Sequence, residues 1–229
     1  YAEIIAELCP ELSSAQPGKP LHCKRLPFLR NIVTVGYRQA GCLTWDEAVA
    51  RSGRVSPQEG RRRAAAVSIH DVANMQYTSG TTGFPKGVML THYNVVNNGK
   101  YIGDHMDLST ADRMMIQVPM FHCFGMVLSM TASMTHGATM CPLPYFSPKP
   151  ALACVNQERI TTFNGVPTMF IAMMNHPDFS KTDFSHIRTG IMAGANCPPE
   201  LMRKAADVMN MTQIISVFGQ TEASPGCTM

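Results

Sequence analysis

The sequence predicts an α/β fold in which βαβ units form a largely parallel sheet. Two observations lead to this prediction. From residue 68 onward, short apolar or β-branched runs alternate with segments of about 10–15 residues that read as helices, the pattern of strands joined by crossover helices. Apolar residues make up 45% of the 229 residues and charged residues 15%, a globular composition that can bury a sizeable core.

Each element after residue 68 has a local signal. Thr91 stands where a helix N-cap is expected, Gly137 ends a helix, and prolines occupy the first turns of the segment that begins at Ser147. The predicted strands are 71–78, 87–90, 112–120, 138–144, 160–165, 187–195 and 212–219. The predicted helices are 91–106, 124–137, 147–159, 166–177 and 198–210.

Residues 1–67 are less regular and are predicted to form a connecting part, separate from an α/β core at 68–229. Segment 31–36 favours a strand and segment 44–53 a helix. Segment 56–68 favours a solvent-facing helix or a connector, and its arginines 61–63 are typical of a solvated helix face.

Composition also limits the function classes. The formal net charge is +3 and no basic run is interleaved with aromatic residues, so nothing indicates nucleic acid as a partner. No stretch approaches the ~20 apolar residues of a membrane span. The eight cysteines show no C-x-x-C spacing and lie near no histidine pair that would complete a zinc site, so reduced, mostly buried thiols in a cytoplasmic protein are predicted.

The most specific stretch is YTSGTTGFPKG at residues 77–87. Its small residues let backbone N–H groups and hydroxyls converge on an anion, and Lys86 adds a point charge suited to phosphate. It is not the ordinary P-loop, because Pro85 stands where that motif has glycine and a strand, not a helix, is predicted to follow. A flexible surface loop is the alternative.

Four ordered segments together resemble the adenylate-forming (AMP-binding) superfamily, in particular its fatty acyl-CoA synthetase branch. The loop at 77–87 looks like that family's phosphate-binding signature. PMFHCFG at 119–125 is similar to its histidine-containing segment, MAGANCPPE at 192–200 to its adenine-side segment, and VFGQTE at 217–222 to its Gly-x-Thr-Glu motif. The order over about 145 residues makes coincidence a minor concern.

The resemblance implies a reaction in two halves for the parent protein. A carboxylate attacks the α-phosphate of ATP, and the thiol of coenzyme A then displaces AMP from the acyl-adenylate. The implied nucleotide-binding residues are Thr78, Ser79, Gly80, Thr81, Thr82, Gly83, Lys86, Gly194, Ala195, Asn196, Gly219 and Gln220. Glu222 is implied as the Mg²⁺ ligand and, with Thr221 and His122, as a catalytic residue; Thr221 would donate to the α-phosphate.

The alternative for His122 is a purely structural role, as a buried core histidine with its hydrogen bonds satisfied between Phe121 and Phe124. The same segment lacks the aspartate with which amino-acid-activating relatives pair the substrate ammonium, so an amino acid substrate is disfavoured. The resemblance to the fatty acyl-CoA synthetase branch implies a fatty acid of medium or long chain as the substrate. An aryl- or other carboxylic acid–CoA ligase, and a non-catalytic nucleotide- or acyl-binding relative, are the alternatives. Assembly into a homo-oligomer is left open.

The family's later motifs, including its lid lysine, do not occur in these 229 residues. The chain is therefore expected to be part of the large N-terminal domain, with 68–229 as its nucleotide- and acyl-binding core and the C-terminal lid absent. We expect such a piece to bind nucleotide weakly and to form no thioester alone.

Overall fold

A computed structural model describes residues 1–79 and 83–229, which form two compact units, Tyr1–Val67 and Ser68–Met229. The predicted phosphate-loop residues Gly80, Thr81 and Thr82 lie outside the described residues.

The first unit is built from short elements. In chain order they are α1 (Ala2–Leu8), β1 (Val33–Thr34), β2 (Leu43–Thr44), α2 (Trp45–Val49) and α3 (Pro57–Ala65). A capping box begins α2, in which the Thr44 hydroxyl accepts from the Glu47 N–H and the Glu47 carboxylate accepts from the Thr44 N–H. Ser56 caps α3 in the same unit. The three elements predicted for this unit are thus confirmed, each shorter than its predicted segment.

The second unit carries the α/β core. Its elements, in chain order, are β3 (Val72–Thr78), β4 (Lys86–Thr91), α4 (His92–His105), β5 (Arg113–Ile116), α5 (Ala132–His136), β6 (Thr139–Pro142), α6 (Pro148–Glu158), β7 (Thr162–Phe163), α7 (Pro167–Met174), β8 (Thr189–Ala193), α8 (Pro199–Val208), β9 (Gln213–Gly219) and β10 (Gly226–Thr228).

The main sheet of this unit has six strands in the order β10-β9-β8-β7-β5-β6. All neighbours pair in parallel except β10, which runs antiparallel to β9 at the edge. The predicted α/β class with a largely parallel sheet is confirmed. Strands β3 and β4 form a separate antiparallel hairpin in which Thr78 pairs with Lys86 at the end next to the connection between the strands.

Helices cover both faces of the main sheet, because alternate residues of a strand point to opposite sides. Met114 and Ile116 of β5 pack in one buried cluster with α4 and α5, whereas Met115 between them packs in another with α6, α7 and α8. Buried methionines occur in both clusters, where their flexible side chains fill irregular gaps.

The helix predicted at 124–137 exists but begins with π-helical winding over Phe124–Thr131 before it continues as α5. The buried Asn164 amide donates to the Leu128 carbonyl at 3.0 Å and to the Ser129 hydroxyl at 2.9 Å. The π-helical segment is therefore hydrogen-bonded to the residue that follows β7. Gly137, with φ +67°, ends the helix as predicted. Such π segments are frequent at functional sites.

Candidate active site

A cavity of about 240 Å³ opens at the carboxyl ends of β8 and β9. Residues from three of the four sequence segments line it, and all of them follow parallel strands at the edge where open α/β sheets place ligands. The lining consists of His122, Cys123, Phe124, Leu128, Ala193, Gly194, Val217, Gly219, Gln220, Thr221, Pro225 and Gly226.

The segment after β9 is held by tight backbone contacts. A Cβ atom on Gly219 would lie 2.4 Å from the Pro225 carbonyl oxygen, so only glycine fits there. The Gln220 N–H donates to that same oxygen at 3.0 Å. Asn98 of α4 fixes the far side by bonding both the N–H and the carbonyl of Gly226 at 3.0 and 2.9 Å. Thr221 is thereby presented to the cavity from a rigid turn.

His122 is exposed, so the alternative of a satisfied core histidine is wrong. Its Nδ1 accepts a hydrogen bond from the Phe124 N–H at 3.1 Å. An accepting Nδ1 leaves the proton of a neutral imidazole on Nε2, which is then a donor. The hydrogen bond from Phe124 thus orients the His122 ring, and Nε2 remains as a donor.

Cys123 is a site residue that the sequence did not single out. Its sulfur is buried and lies 3.6 Å from the Thr221 hydroxyl oxygen. Burial raises the pKa of the Cys123 thiol, and the nearby charge of Glu222 adds to the rise, so the group is a neutral thiol at neutral pH. The sequence carries one signal for a site role of Cys123, namely that it directly follows His122. A prediction that groups all eight cysteines as buried thiols does not use this signal.

The segment after β8 turns sharply at Gly194. This residue has φ +80°, where glycine avoids the strain of a side chain, and a Cβ would approach the Val166 Cγ1 atom at 3.0 Å. Gly194 lines the cavity, whereas Ala195 and Asn196 are exposed and lie outside its lining.

The family profile described as AMP-binding enzyme matches residues 19–229. The chain belongs to this family. YngI of Bacillus subtilis (strain 168), which carries the name of an acyl-CoA synthetase, is 47% identical over 229 residues, covering 100% of this chain and 42% of that protein. The mitochondrial medium-chain acyl-CoA ligase ACSF2 of Rattus norvegicus is 42% identical over 231 residues, covering 98% of this chain and 37% of that protein.

Among solved structures, the anthranilate CoA ligase AuaEII in complex with anthranoyl-AMP superposes with a TM-score of 0.74 at 25% identity, over 88% of this chain and 37% of that one. This AMP-binding chain corresponds to the N-terminal part of its relatives and spans about two fifths of their length. No helix among the described residues is both long and apolar enough to cross a membrane.

The predicted phosphate-loop residues that the structure describes are outside the cavity lining. Thr78 and Lys86 face each other at the end of the β3–β4 hairpin, Ser79 and Gly83 flank them, and Lys86 is exposed. Strand β4 contacts the turn Thr221–Ala223, which brings the hairpin to the edge of the site. The strand that follows the loop agrees with the prediction that no helix begins there.

Glu222 is exposed in that turn, and its charge acts on the Cys123 thiol inside the cavity. A single exposed carboxylate is a suitable Mg²⁺ anchor, because this ion keeps several waters and binds through one or two carboxylates together with substrate phosphates. The donor set therefore fits Mg²⁺.

Proposed function

We propose that the protein to which this chain belongs activates a fatty acid with ATP to an acyl-adenylate and then transfers the acyl group to coenzyme A. One observation carries the proposal: Thr221, His122 and the Gly194 turn come from three distant segments and line one cavity at the carboxyl edge of a parallel sheet. The names of the relatives, acyl-CoA synthetase and medium-chain acyl-CoA ligase, support the same class.

In this proposal the chain's own groups position two anions and neutralise their charge. The Thr221 hydroxyl donates to the α-phosphate, where negative charge develops during attack, and the His122 Nε2–H orients the carboxylate of the acid. Lys86 and the hydroxyls of Thr78 and Ser79 hold the leaving pyrophosphate. Glu222 would hold Mg²⁺, which supplies charge neutralisation at the phosphates.

The nucleotide itself would lie along the strand ends. The exposed backbone of Gly194, Ala195 and Asn196 offers a flat surface to the adenine, and Gly219 and Gln220 continue it next to Thr221. These roles are assigned from the family resemblance and from position.

A fatty substrate is favoured by a second cavity of about 430 Å³ next to the histidine segment. Its walls are mostly apolar and include Met120, Phe121, Phe146 and Met169, and no charged residue lines it among the residues that the structure describes. A volume of this size is within the range of small-molecule sites. An acyl chain of medium or long length suits such walls, whereas an ammonium group would find no charge partner on them.

An aryl acid–CoA ligase is the second candidate, because the structural likeness to AuaEII is high. A non-catalytic nucleotide- or acyl-binding relative is the third. We propose that the enzyme acts in fatty acid metabolism in the cytoplasm. The eight free cysteines fit a reducing compartment, and the ACSF2 relative carries a mitochondrial name.

The test uses the full-length protein and compares Thr221→Val with Thr221→Ser. We expect Thr221→Val to lower kcat for pyrophosphate release by roughly a hundredfold, because one donor to the transition state is lost, and Thr221→Ser to keep most of the activity. Both variants should bind ATP with little change. An unaltered rate in Thr221→Val would overturn the proposed role.

The substrate class is decided on the same wild-type protein by profiling straight-chain acids against aryl acids. Higher kcat/KM for a medium or long acyl chain supports the fatty substrate. A preference for aryl acids would establish the second candidate, and nucleotide binding with no acid-dependent pyrophosphate release would establish the third.

A further inference from the structure

Three side chains in the first unit bring potential metal ligands together. One ligand atom each of Cys9, Glu11 and Cys23 lies within 4.8 Å of the others, and no second such group of His, Cys, Asp or Glu occurs in residues 1–79 and 83–229. Both cysteines are buried, with 0% and 3% of their surfaces exposed. The three residues lie where α1 ends, in the following 3₁₀ turn Pro10–Ser14, and just beyond Leu21.

The Glu11 carboxylate is oriented but only half satisfied. Its Oε1 accepts from the Lys24 N–H at 3.3 Å, whereas its Oε2 is buried with no hydrogen-bond partner within the described part of the chain. A glutamate carboxyl carries a charge at neutral pH. A buried, charged oxygen without a partner is costly unless a cation or donor meets it.

The ligand atoms of Cys9 and Cys23 lie close to that of Glu11, so the three groups can face one ion. A divalent cation displaces the thiol protons as the sulfurs bind, and each ligand then faces a positive centre.

We propose that Cys9, Cys23 and Glu11 bind a zinc ion. Two thiolates and one carboxylate are ligands that zinc accepts, and water completes a four-coordinate site. Each thiol releases its proton to solvent as the sulfur binds, so two thiolates, one carboxylate and Zn²⁺ leave the site with one net negative charge. This site lies in Tyr1–Val67 and does not depend on the proposed ligase activity.

The effect of the ion would be structural. The buried apolar cluster of this unit has five members, and Cys9, Cys23 and Cys42 are three of them. Its helices have only 7, 5 and 9 residues. Small units with so little apolar core commonly use a metal or disulfides to hold their chain segments together.

The experiment is cobalt and zinc titration of the reduced 229-residue chain. We expect one equivalent of metal per chain, a thiolate-to-cobalt charge-transfer band, and loss of this band when zinc is added. Cys9→Ser/Cys23→Ser should lose the band, and Glu11→Gln should keep it with weaker zinc binding. Cys42→Ser is the matched control, a buried thiol of the same cluster outside the ligand set, and should keep both band and affinity.

A second measurement avoids the risk that a variant fails to fold. In the wild-type chain, added zinc should protect Cys9 and Cys23 from alkylation, as read by peptide mass spectrometry, and a chelator should remove this protection. Equal loss of the cobalt band in Cys42→Ser, absence of bound metal, or a Cys9–Cys23 disulfide that forms in place of metal binding would each overturn the proposal.

Discussion

Asp112 is a buried charge that no sequence pattern marks out. Only 3% of the residue is exposed, yet its carboxylate accepts from the Arg188 guanidinium at 2.8 Å, the Thr161 hydroxyl at 2.7 Å and the Ser109 N–H at 2.9 Å. Arg188 also donates to the Met106 carbonyl. The Asp112 carboxylate thus links the segment that precedes β5 to the segments that precede β7 and β8. This link lies at the edge of the sheet opposite the cavity.

The pH dependence of stability follows from this network. Burial alone would raise the pKa of Asp112, but the bonds from Arg188, Thr161 and Ser109 outweigh it and hold the pKa below its ordinary value of 3.8. A lowered folded-state pKa stabilises the fold above the ordinary value, and this stabilisation is lost as the pH falls through the folded-state pKa.

We therefore expect Asp112→Asn to lower the free energy of unfolding by about 3 kcal/mol at neutral pH, because Arg188 is left without its charge partner. The difference from wild type should shrink as the pH falls below about 4. Urea unfolding at several pH values measures both, with Asp207→Asn, an exposed aspartate, as the control. A difference that stays constant down to the most acid condition would contradict the explanation.

At the scale of elements, α4 packs closely on the π-helical segment because glycines face it. Added Cβ atoms would lie 2.6 Å from the Thr131 Cγ2 atom at Gly99, and 2.3 Å from the His136 ring at Gly103. The start of helix α4 is set by a local motif, because Thr91 and Asn94 form a capping box. The glycines reduce helix propensity but permit the close contact.

Gly99→Ala separates these two effects. On an exposed helix position this change would stabilise the protein by up to about 1 kcal/mol, whereas at Gly99 we expect destabilisation by roughly 1–3 kcal/mol from overpacking. Thermal unfolding measures the sign, and Val96→Ala on the exposed face of the same helix is the control. A more stable Gly99→Ala protein would show that Thr131 can move away at little cost.

Element boundaries show where local signals end. The segments predicted as strands at 112–120 and 160–165 form ladders only over β5 and β7, of four and two residues, with one further isolated bridge between Gly165 and Met192. Beyond Ile116 the buried Gln117 side chain donates to the Asn164 carbonyl at 3.2 Å, so the chain there is tied by side chains and not by a ladder. Apolar runs predict burial, and neighbouring strands determine how much of a run pairs.

At the scale of the whole molecule, the exposure of the site bears on what this chain can do alone. His122, Lys86 and Glu222 are all exposed to solvent. Charges and donors in contact with water act weakly on a reacting centre, and catalysis of this kind needs water to be excluded. Groups this exposed need a cover that excludes water before they can act in catalysis.

We expect the 229-residue chain to bind a non-hydrolysable fatty acyl-adenylate analogue more tightly than AMP, and to form no thioester. Calorimetry gives the two affinities, with an aryl analogue as comparison, and a coupled CoA assay tests turnover. Measurable turnover by this chain would contradict the need for such a cover, and equal affinities for the analogue and AMP would contradict an acyl pocket within these residues.

Residue order alone was enough to specify the fold class, most elements and the family. Periodicity, caps and glycine turns are local, and the four segments follow from residue order, so Thr91, Gly137 and the motif at 217–222 could be predicted without coordinates. The tertiary structure was needed to place Cys123 against Thr221, to make His122 an exposed donor, to tie Asp112 to Arg188, and to bring Cys9, Glu11 and Cys23 together. Each of these depends on contacts between residues distant in sequence or on the burial of one atom, which no local pattern specifies.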